Sequence, residues 1–260
     1  MTGIQDAFWA ESLKIRRSKM LWLSILAALF MAGMIGFMMF ISKNPELAAK
    51  MGMLGTKSSI MKGVDWPAYL GLLAEMISGL GLVGFGFVAS WVFGREYADR
   101  TVKDLLALPL PRSFIVLAKF IAVVVWSVLL AFILLASALA IGGMIGLTGW
   151  TNEIGLQGVY VFAVTTLMTL LLCTPVAFFA SYGRGYLPPM GFVILTVIVG
   201  QFIVALSWGQ YFPWAIAGLY SIAAITGGSM PGVASYVILV LTSVIGLTGT
   251  LAWWRYADQH

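Results

Sequence analysis

Residues 95–112 read REYADRTVKDLLALPLPR and lie between two long apolar runs, residues 66–93 and 114–147. A second charged stretch, residues 11–19 (ESLKIRRSK), precedes the first apolar run. Soluble domains spread their charges over the whole surface, whereas membrane proteins confine them to segments between apolar spans of about 20 residues. This distribution predicts an all-α polytopic membrane protein.

The composition excludes several classes of protein. Of 260 residues, 61% are hydrophobic and 10% are charged, which excludes a disordered chain and disfavours a soluble domain. The net charge of +5 does not indicate nucleic-acid binding, because the basic residues flank the apolar runs and are expected to face lipid headgroups. Cys173 is the single cysteine, so an intrachain disulfide is excluded.

The apolar runs predict one transmembrane domain over residues 1–260, with spans near 20–41, 66–93, 114–147, 157–182, 189–208 and 233–254. We expect Pro175 to kink the fourth span. Residues 1–19 place Ile4 and Phe8 at helical spacing beside polar positions, which favours an amphipathic helix lying in the headgroup plane over a frayed basic tail.

Residues 209–232 are apolar but interrupted by proline and glycine, so they form either a seventh span or a re-entrant hairpin. Lys and Arg concentrate around residues 11–19 and 95–119, with Arg184 and Arg255 further on. The first opposite loop holds four lysines: Lys43, Lys50, Lys57 and Lys62. The positive-inside rule then places both termini, Arg184 and Arg255 in the cytoplasm. An even number of crossings between the two arginines favours an exoplasmic re-entrant hairpin, which contains Tyr211, Phe212, Pro213 and Trp214.

Residues 95–107 are predicted to form a short cytoplasmic helix, because Glu96–Leu106 is rich in helix formers and two prolines, Pro109 and Pro111, follow it. Side chains at helical spacing form one polar and one mixed stripe. These stripes consist of Glu96, Arg100 and Asp104, and of Tyr97, Thr101 and Leu105. The alternative is a basic loop that only anchors the topology.

These residues resemble the coupling-helix signature of ABC-2-type permeases. The resemblance comprises Gly94-Arg95-Glu96, Arg100-Thr101, Leu105-Leu106, Pro109-Leu110-Pro111-Arg112 and Lys119. It extends to the six spans, the N-terminal interfacial helix and the hairpin before the last span. Tyr211-Phe212-Pro213-Trp214 is similar to the bacitracin- and lantibiotic-immunity branch of that family. The chain departs from the pattern at Arg100, where many relatives have Gly, and at Leu110.

The resemblance implies an export permease subunit in the cell membrane, moving an antimicrobial peptide, lipid or drug. It implies two copies of a cytoplasmic ABC ATPase and a second permease subunit, in a homo- or heterodimer, surrounded by membrane lipids. This chain has no Walker A motif and is expected to hold no cofactor or metal and no catalytic residue; ATP and Mg would bind the partner. The implied ATPase-coupling interface is Glu96, Tyr97, Arg100, Thr101, Asp104 and Leu105.

Glu75 is the one acidic residue well inside an apolar span, and an ionisable residue there indicates a pathway or an interface position. Together with Gln201 in the fifth span it is our candidate for the translocation path. Gly79–Gly84 matches G-x-G-x-x-G, but it lies inside a span with no preceding strand, so we expect close helix packing there. An ATP-independent channel, a secondary carrier and a membrane anchor of a signalling complex are the alternative functions.

Overall fold

The structure, a computed structural model, describes residues 3–44, 64–106 and 110–256. Every regular element in these ranges is helical, which confirms the predicted all-α fold. The helices are α1 (Gly3–Arg16), α2 (Lys19–Lys43), α3 (Trp66–Ala98), α4 (Val102–Leu106), α5 (Arg112–Ile145), α6 (Asn152–Leu171), α7 (Thr174–Tyr182), α8 (Leu187–Ala205), α9 (Pro213–Thr226) and α10 (Val233–Tyr256), with a 3-10 turn at Gly209–Tyr211. The predicted end of the coupling helix at residue 107, Pro109, and three of the four loop lysines (Lys50, Lys57 and Lys62) lie outside the described residues.

Six helical segments in the described ranges are long and apolar enough to cross a membrane, as the sequence predicts. They are α2, α3, α5, α6 with α7, α8 and α10. The fourth is interrupted at Leu172–Cys173, just before Pro175 in the first turn of α7. The predicted kink is therefore confirmed, and its cause is the proline, which lacks the N–H that would continue the helix.

Helix α10 packs directly on this kink, because Gly246 has no side chain there. A Cβ at Gly246 would lie 2.4 Å from the backbone nitrogen of Pro175. The Thr174 hydroxyl donates to the Ser243 carbonyl at 2.7 Å, so the interrupted turn is also hydrogen-bonded across to α10. Close backbone approach at a small residue is the usual way in which membrane helices pack.

Many charged residues gather at one end of the bundle, which we call the charged end, where the first helix and the end of the last helix also lie. Arg112, the first residue of α5, donates to the backbone carbonyl of Trp254 near the end of α10 at 3.3 Å. Residue Gly3 of α1 lies against Leu110 at the same end. The far end joins α2 to α5, where Lys43 donates to the Ile145 carbonyl at 2.7 Å. Since α1 and α10 meet at one end, the chain crosses the bundle an even number of times.

The segment between α8 and α10 does not form a full span. It contains the 3-10 turn and α9, whose 14 residues are about 21 Å long at 1.5 Å per residue, shorter than an apolar layer of about 30 Å. Helix α9 packs against α3 and α6. A seventh crossing is therefore disfavoured, while entry into the membrane and return on the same side stays a prediction.

Helix α1 packs on the bundle with a face that continues the predicted stripe of Ile4 and Phe8, and Phe8 contacts the hydrophobic core. Its buried residues are Ala7, Glu11 and Ile15, which follow one another at i, i+4 spacing and pack along α5. Ile4 is partly exposed, and Trp9 is 61% exposed. The face that carries the predicted apolar stripe therefore also contains the buried carboxylate of Glu11, which is part of the candidate site.

Candidate functional site

The segment between α3 and α5 is not the single helix that we expected over residues 95–107. Helix α3 continues through Glu96 to Ala98, and the short helix α4 begins only at Val102. Between them Arg100 adopts φ +58°, a left-handed conformation that ends the first helix and redirects the chain. Glu96 and Asp104 therefore do not lie on one helical stripe. The predicted stripe is wrong because helix propensities do not indicate a left-handed residue within the segment.

Thr101 holds this turn to the end of α3. Its backbone N–H donates to the Glu96 carbonyl at 2.9 Å, and its hydroxyl donates to Oε2 of Glu96 at 2.6 Å. Two hydrogen bonds to the same residue fix the start of α4 relative to α3. The turn is thus a structured element of the bundle and not a solvated loop.

Four charged side chains meet where α1, α3 and α5 come together. Lys119 donates to Oε1 of Glu11 and to Oε1 of Glu96, each at 3.1 Å. Lys14 donates to the same two oxygens, at 2.9 Å to Glu11 and at 2.6 Å to Glu96. We call Glu11, Lys14, Glu96 and Lys119 the charge quartet. It contains two carboxylates and two ammonium groups, so it is neutral as a whole.

Three members of the quartet are buried, Lys14 is partly exposed, and the deepest ammonium, that of Lys119, is fully satisfied. Lys119 is 0% exposed and uses all three donors, the third on the Val92 carbonyl at 3.0 Å. Glu11 and Glu96 are 5% and 4% exposed. For Lys14 burial acts to lower the pKa, but the carboxylates of Glu11 and Glu96 outweigh it and raise the pKa. Breaking such a set by removing one charge is costly, because the others are left unpaired in a dry site.

The structure brings together residues that the sequence signature spaces far apart. Thr101 and Lys119 both donate to the Glu96 carboxylate, Thr101 to Oε2 and Lys119 to Oε1. Gly94 lies against the loop between α7 and α8, where a Cβ would stand 2.8 Å from the Gly185 carbonyl oxygen. Arg112 donates to the last carbonyls of α10. These signature residues therefore fix the charged end of the bundle internally.

The six residues of the predicted coupling interface divide into an exposed and an internal set. Arg100 and Asp104 are exposed, together with Lys103 between them. Tyr97 and Leu105 are partly buried against the core, Tyr97 with its ring 6.1 Å from that of Trp254. Glu96 was expected at a surface stripe, but it is buried in the quartet. Its internal role is a correction to the predicted site.

Glu75 and Gln201 line one open cavity of about 330 Å³ between α3, α8 and α9. Both side chains are exposed to this space in the monomer. Trp214 also lines it, and its Nε1 is buried without a hydrogen-bond partner among the described residues. A carboxylate, an amide and an indole N–H within a largely apolar wall form a site of the kind that orients an amphiphilic molecule.

One residue of the predicted hairpin motif, Trp214, lines this cavity. Phe212 lies 5.5 Å from Trp214, ring centre to ring centre, and Pro213 begins α9. Tyr211 is 57% exposed on the other side of the turn. The site therefore contains Trp214 directly and Phe212 as its support.

The glycine motif at residues 79–84 does not have its expected role in packing between helices, whereas Gly86, two residues beyond it, does. A Cβ at Gly79 or Gly84 would meet nothing within 4 Å, so these two residues do not mediate close helix packing. Gly86 does, since a Cβ there would lie 2.7 Å from Val193 of α8. Gly79 instead borders the Glu75 cavity and keeps it wide.

Sequence reasoning missed Glu11 and Lys14 as site residues, although a signal was present. Lys119 follows the charged segment 95–112 and lies inside the apolar run 114–147, and an ionisable residue in such a position requires a buried partner. Glu11 lies 108 positions before it, so no local pattern links the two. In the described residues no group of three or more His, Cys, Asp or Glu side chains is arranged to hold a metal.

Residues 7–201 match the family model described as ABC-2 family transporter protein, and this range includes the quartet, the turn and the Glu75 cavity wall on α3. A bacitracin transport permease protein of Bacillus licheniformis is 24% identical over 185 residues, which cover 70% of this chain and 86% of the relative. The predicted family resemblance is thereby confirmed. With its six apolar helices, this chain is a multi-pass membrane protein that belongs to the ABC-2 transporter family.

Proposed function

We propose that this chain is the permease subunit of an ATP-driven exporter. It would act with two copies of a separate cytoplasmic ATPase and with a second permease subunit, identical or related. Family membership supports a transport subunit, and the charge quartet is the observation that supports energy coupling. A structured turn held by buried charges to α1, α3 and α5 is suited to receive a force and pass it to the spans.

The coupling step follows from these connections. The exposed face of the turn, at Arg100, Lys103 and Asp104, would contact the ATPase. Thr101 and Glu96 tie that face to α3, and Lys119 ties α3 to α5. When ATP binding closes the ATPase dimer, the turn would move with α3 and α5 as one unit. Since Glu75 lies on α3, the cavity would change shape in the same movement.

The cavity supports an amphiphilic and cationic substrate. Its apolar wall would accommodate hydrocarbon surface, while Glu75 would attract a positive group in a medium where unpaired charges are unfavourable. The relative named as a bacitracin transport permease suggests a peptide antibiotic, and so a role in resistance. Gln201 and Trp214 would supply hydrogen bonds that orient such a molecule.

The orientation in the membrane is part of the proposal. Both termini and the quartet would face the cytoplasm, where the ATPase is, because Lys and Arg concentrate at this end of the bundle. Single cysteines at Ser18, Ser229 and Gln259 in a Cys173→Ser background would be labelled in intact cells. We expect external labelling at position 229 alone; labelling at position 259 would overturn the orientation.

The coupling face is tested with a double charge reversal, Arg100→Glu with Asp104→Lys, co-expressed with a separate ABC ATPase subunit that forms a complex with the unmodified chain. Two reversals are used because a single exposed charge at the edge of an interface contributes only about 0–1 kcal/mol to the free energy of binding. Arg16→Glu, an exposed cation at the end of α1, is the matched control. We expect the double variant to lose ATPase co-purification and export while remaining monodisperse. Normal export by the double variant would refute the coupling role of this face.

A further inference from the structure

A second polar cavity lies at the charged end of the bundle. It has a volume of about 460 Å³ and opens between the start of α2, the end of α3 and the start of α8. Its charged and aromatic walls are Lys14, Arg17, Lys19, Arg95, Asp99 and Tyr186. Four cations and one carboxylate line it, so the cavity has a strong positive excess.

The internal ion pairs do not use up this positive charge. Lys14 is engaged by the quartet, and Arg95 donates to Asp99 at 3.1 Å while lying over the Trp91 ring at 4.8 Å. Arg17 and Lys19 form no ion pair in the described part of the chain. In addition, Nη1 of Arg95 is buried and has no hydrogen-bond partner among the described residues. Two cations and a buried donor are therefore left for an anion.

An apolar groove continues from the basic cavity along the same three helices. It has a volume of about 320 Å³ and runs between α2, α3 and α8, with α5 at its back. Leu23, Phe87 and Met190 line the apolar groove. Each lies three or four residues along its helix from a residue that lines the basic cavity, namely Met20, Trp91 and Tyr186. At 1.5 Å per residue, this is a separation of only about 4.5–6 Å. The two cavities thus form one groove, basic at its mouth and apolar along its length.

The position of the groove selects the class of ligand. Lys19 begins the first apolar helix and Arg95 lies in the last turn of α3, so the basic mouth is at the depth of the headgroups. A phosphate on a diffusible small molecule would fill the mouth but leave the apolar part empty. A phospholipid matches both parts, because its phosphate and its acyl chain are joined in the same order.

We propose that this groove binds one anionic phospholipid, with its phosphate at Arg17, Lys19 and Arg95 and an acyl chain between α2 and α8. The site is separate from the Glu75 cavity and does not depend on the transported substrate. Bound lipid would fix the position of Arg95, which directly precedes Glu96 of the quartet. The charged end would then be stabilised by the membrane as well as by its own ion pairs.

The test measures lipid binding by the purified full chain in detergent. Dioleoyl-phosphatidylglycerol, dioleoyl-phosphatidylcholine and inorganic phosphate are titrated separately, with native mass spectrometry and thermal stability as readouts. The headgroup variant is Arg17→Gln with Lys19→Gln, and its control is Arg16→Gln with Lys103→Gln, two exposed cations outside the cavity. The chain variant is Gly84→Leu, which fills the apolar groove at a position where a Cβ meets nothing within 4 Å.

We expect phosphatidylglycerol to bind in preference to phosphatidylcholine. The headgroup variant should lose about tenfold in affinity for it, since two surface cations are removed, and the control should be unchanged. Gly84→Leu should also weaken binding of the anionic lipid. Equal binding of both lipids would overturn the proposal, as would unchanged affinity in the headgroup variant. A lipid site would likewise be refuted if inorganic phosphate stabilised the chain as much as the lipid does. It would also be refuted if Gly84→Leu altered only dimer formation and not lipid binding.

Discussion

Lys119 offers the sharpest test of the charge quartet. Replacement by Met keeps the length and apolar character of the side chain but removes an ammonium that makes three hydrogen bonds, to Glu11, to Glu96 and to the Val92 carbonyl. Lys14 alone then faces two carboxylates, so the site acquires one uncompensated negative charge. Because Lys119 is 0% exposed, water cannot replace it without opening the helix contacts.

The expected loss of stability is large for a single substitution. Removing one partner from a buried ion pair costs on the order of 3–5 kcal/mol, and the Val92 carbonyl loses its side-chain donor as well. Lys103→Met, in the same segment but exposed, is the matched control and should change little. The measurement is the temperature at which each detergent-purified variant loses monodispersity. We expect a fall of several degrees for Lys119→Met.

A charge-neutral double variant separates charge imbalance from lost packing. Lys119→Met with Glu96→Gln leaves Glu11 paired with Lys14 at 2.9 Å, so the site is neutral again. If the quartet is a coupled buried unit, the double variant is more stable than Lys119→Met alone. If Lys119→Met is as stable as the parent, or if the double variant is worse by the sum of both changes, the quartet is not a coupled buried unit.

Three further predictions concern the cavity and the helix contacts. Glu75→Gln should reduce export and substrate-stimulated ATP hydrolysis with unchanged expression; full export would make Glu75 only a tolerated interface acid. Gly79→Leu should narrow the same cavity and lower export without reducing thermal stability, because a Cβ there meets nothing within 4 Å. Gly246→Ala should lower thermal stability, since its Cβ would lie 2.4 Å from Pro175, whereas Gly143→Ala, in open space, should be neutral or stabilising by up to about 1 kcal/mol. Equal melting temperatures for these two alanine variants would contradict the packing argument.

The spans could be predicted because the bilayer imposes a length and a composition on every crossing segment. Apolar runs therefore located all six helices, and Pro175 located the interruption in the fourth. Boundaries were less predictable. Helix α6 begins at Asn152, five residues before the predicted span. The cause is its N-cap Thr151, whose side-chain oxygen accepts a hydrogen bond from the Ile154 N–H. Such a cap extends a helix beyond its apolar run.

The site could be predicted only where its residues are neighbours in sequence. The turn around Thr101 lies where the signature indicates, but an arginine at position 100 does not by itself indicate the left-handed conformation that shapes the turn. The pairs Glu11–Lys119 and Lys14–Glu96 span 108 and 82 positions, and they form only because α1 packs along α5. Amphipathic spacing predicted α1 as a helix but did not indicate that Glu11 is buried on it, since a buried carboxylate resembles a surface residue until its partner is known.

The arrangement of the quartet also separates a structural role from a role in coupling. Three of its ion pairs join different helices: Lys14–Glu96, Lys119–Glu11 and Lys119–Glu96. The fourth, Lys14–Glu11, lies within α1. The double variant Lys119→Met with Glu96→Gln therefore removes every ion pair between helices while keeping the site neutral. Buried ion pairs are often replaceable without loss of stability, so a stable double variant is expected.

If the quartet transmits the movement of the coupling turn, that stable variant should hydrolyse ATP with its partner but export poorly, because α1, α3 and α5 would no longer move as one unit. Export at the parental rate would show that the quartet only holds the helices together.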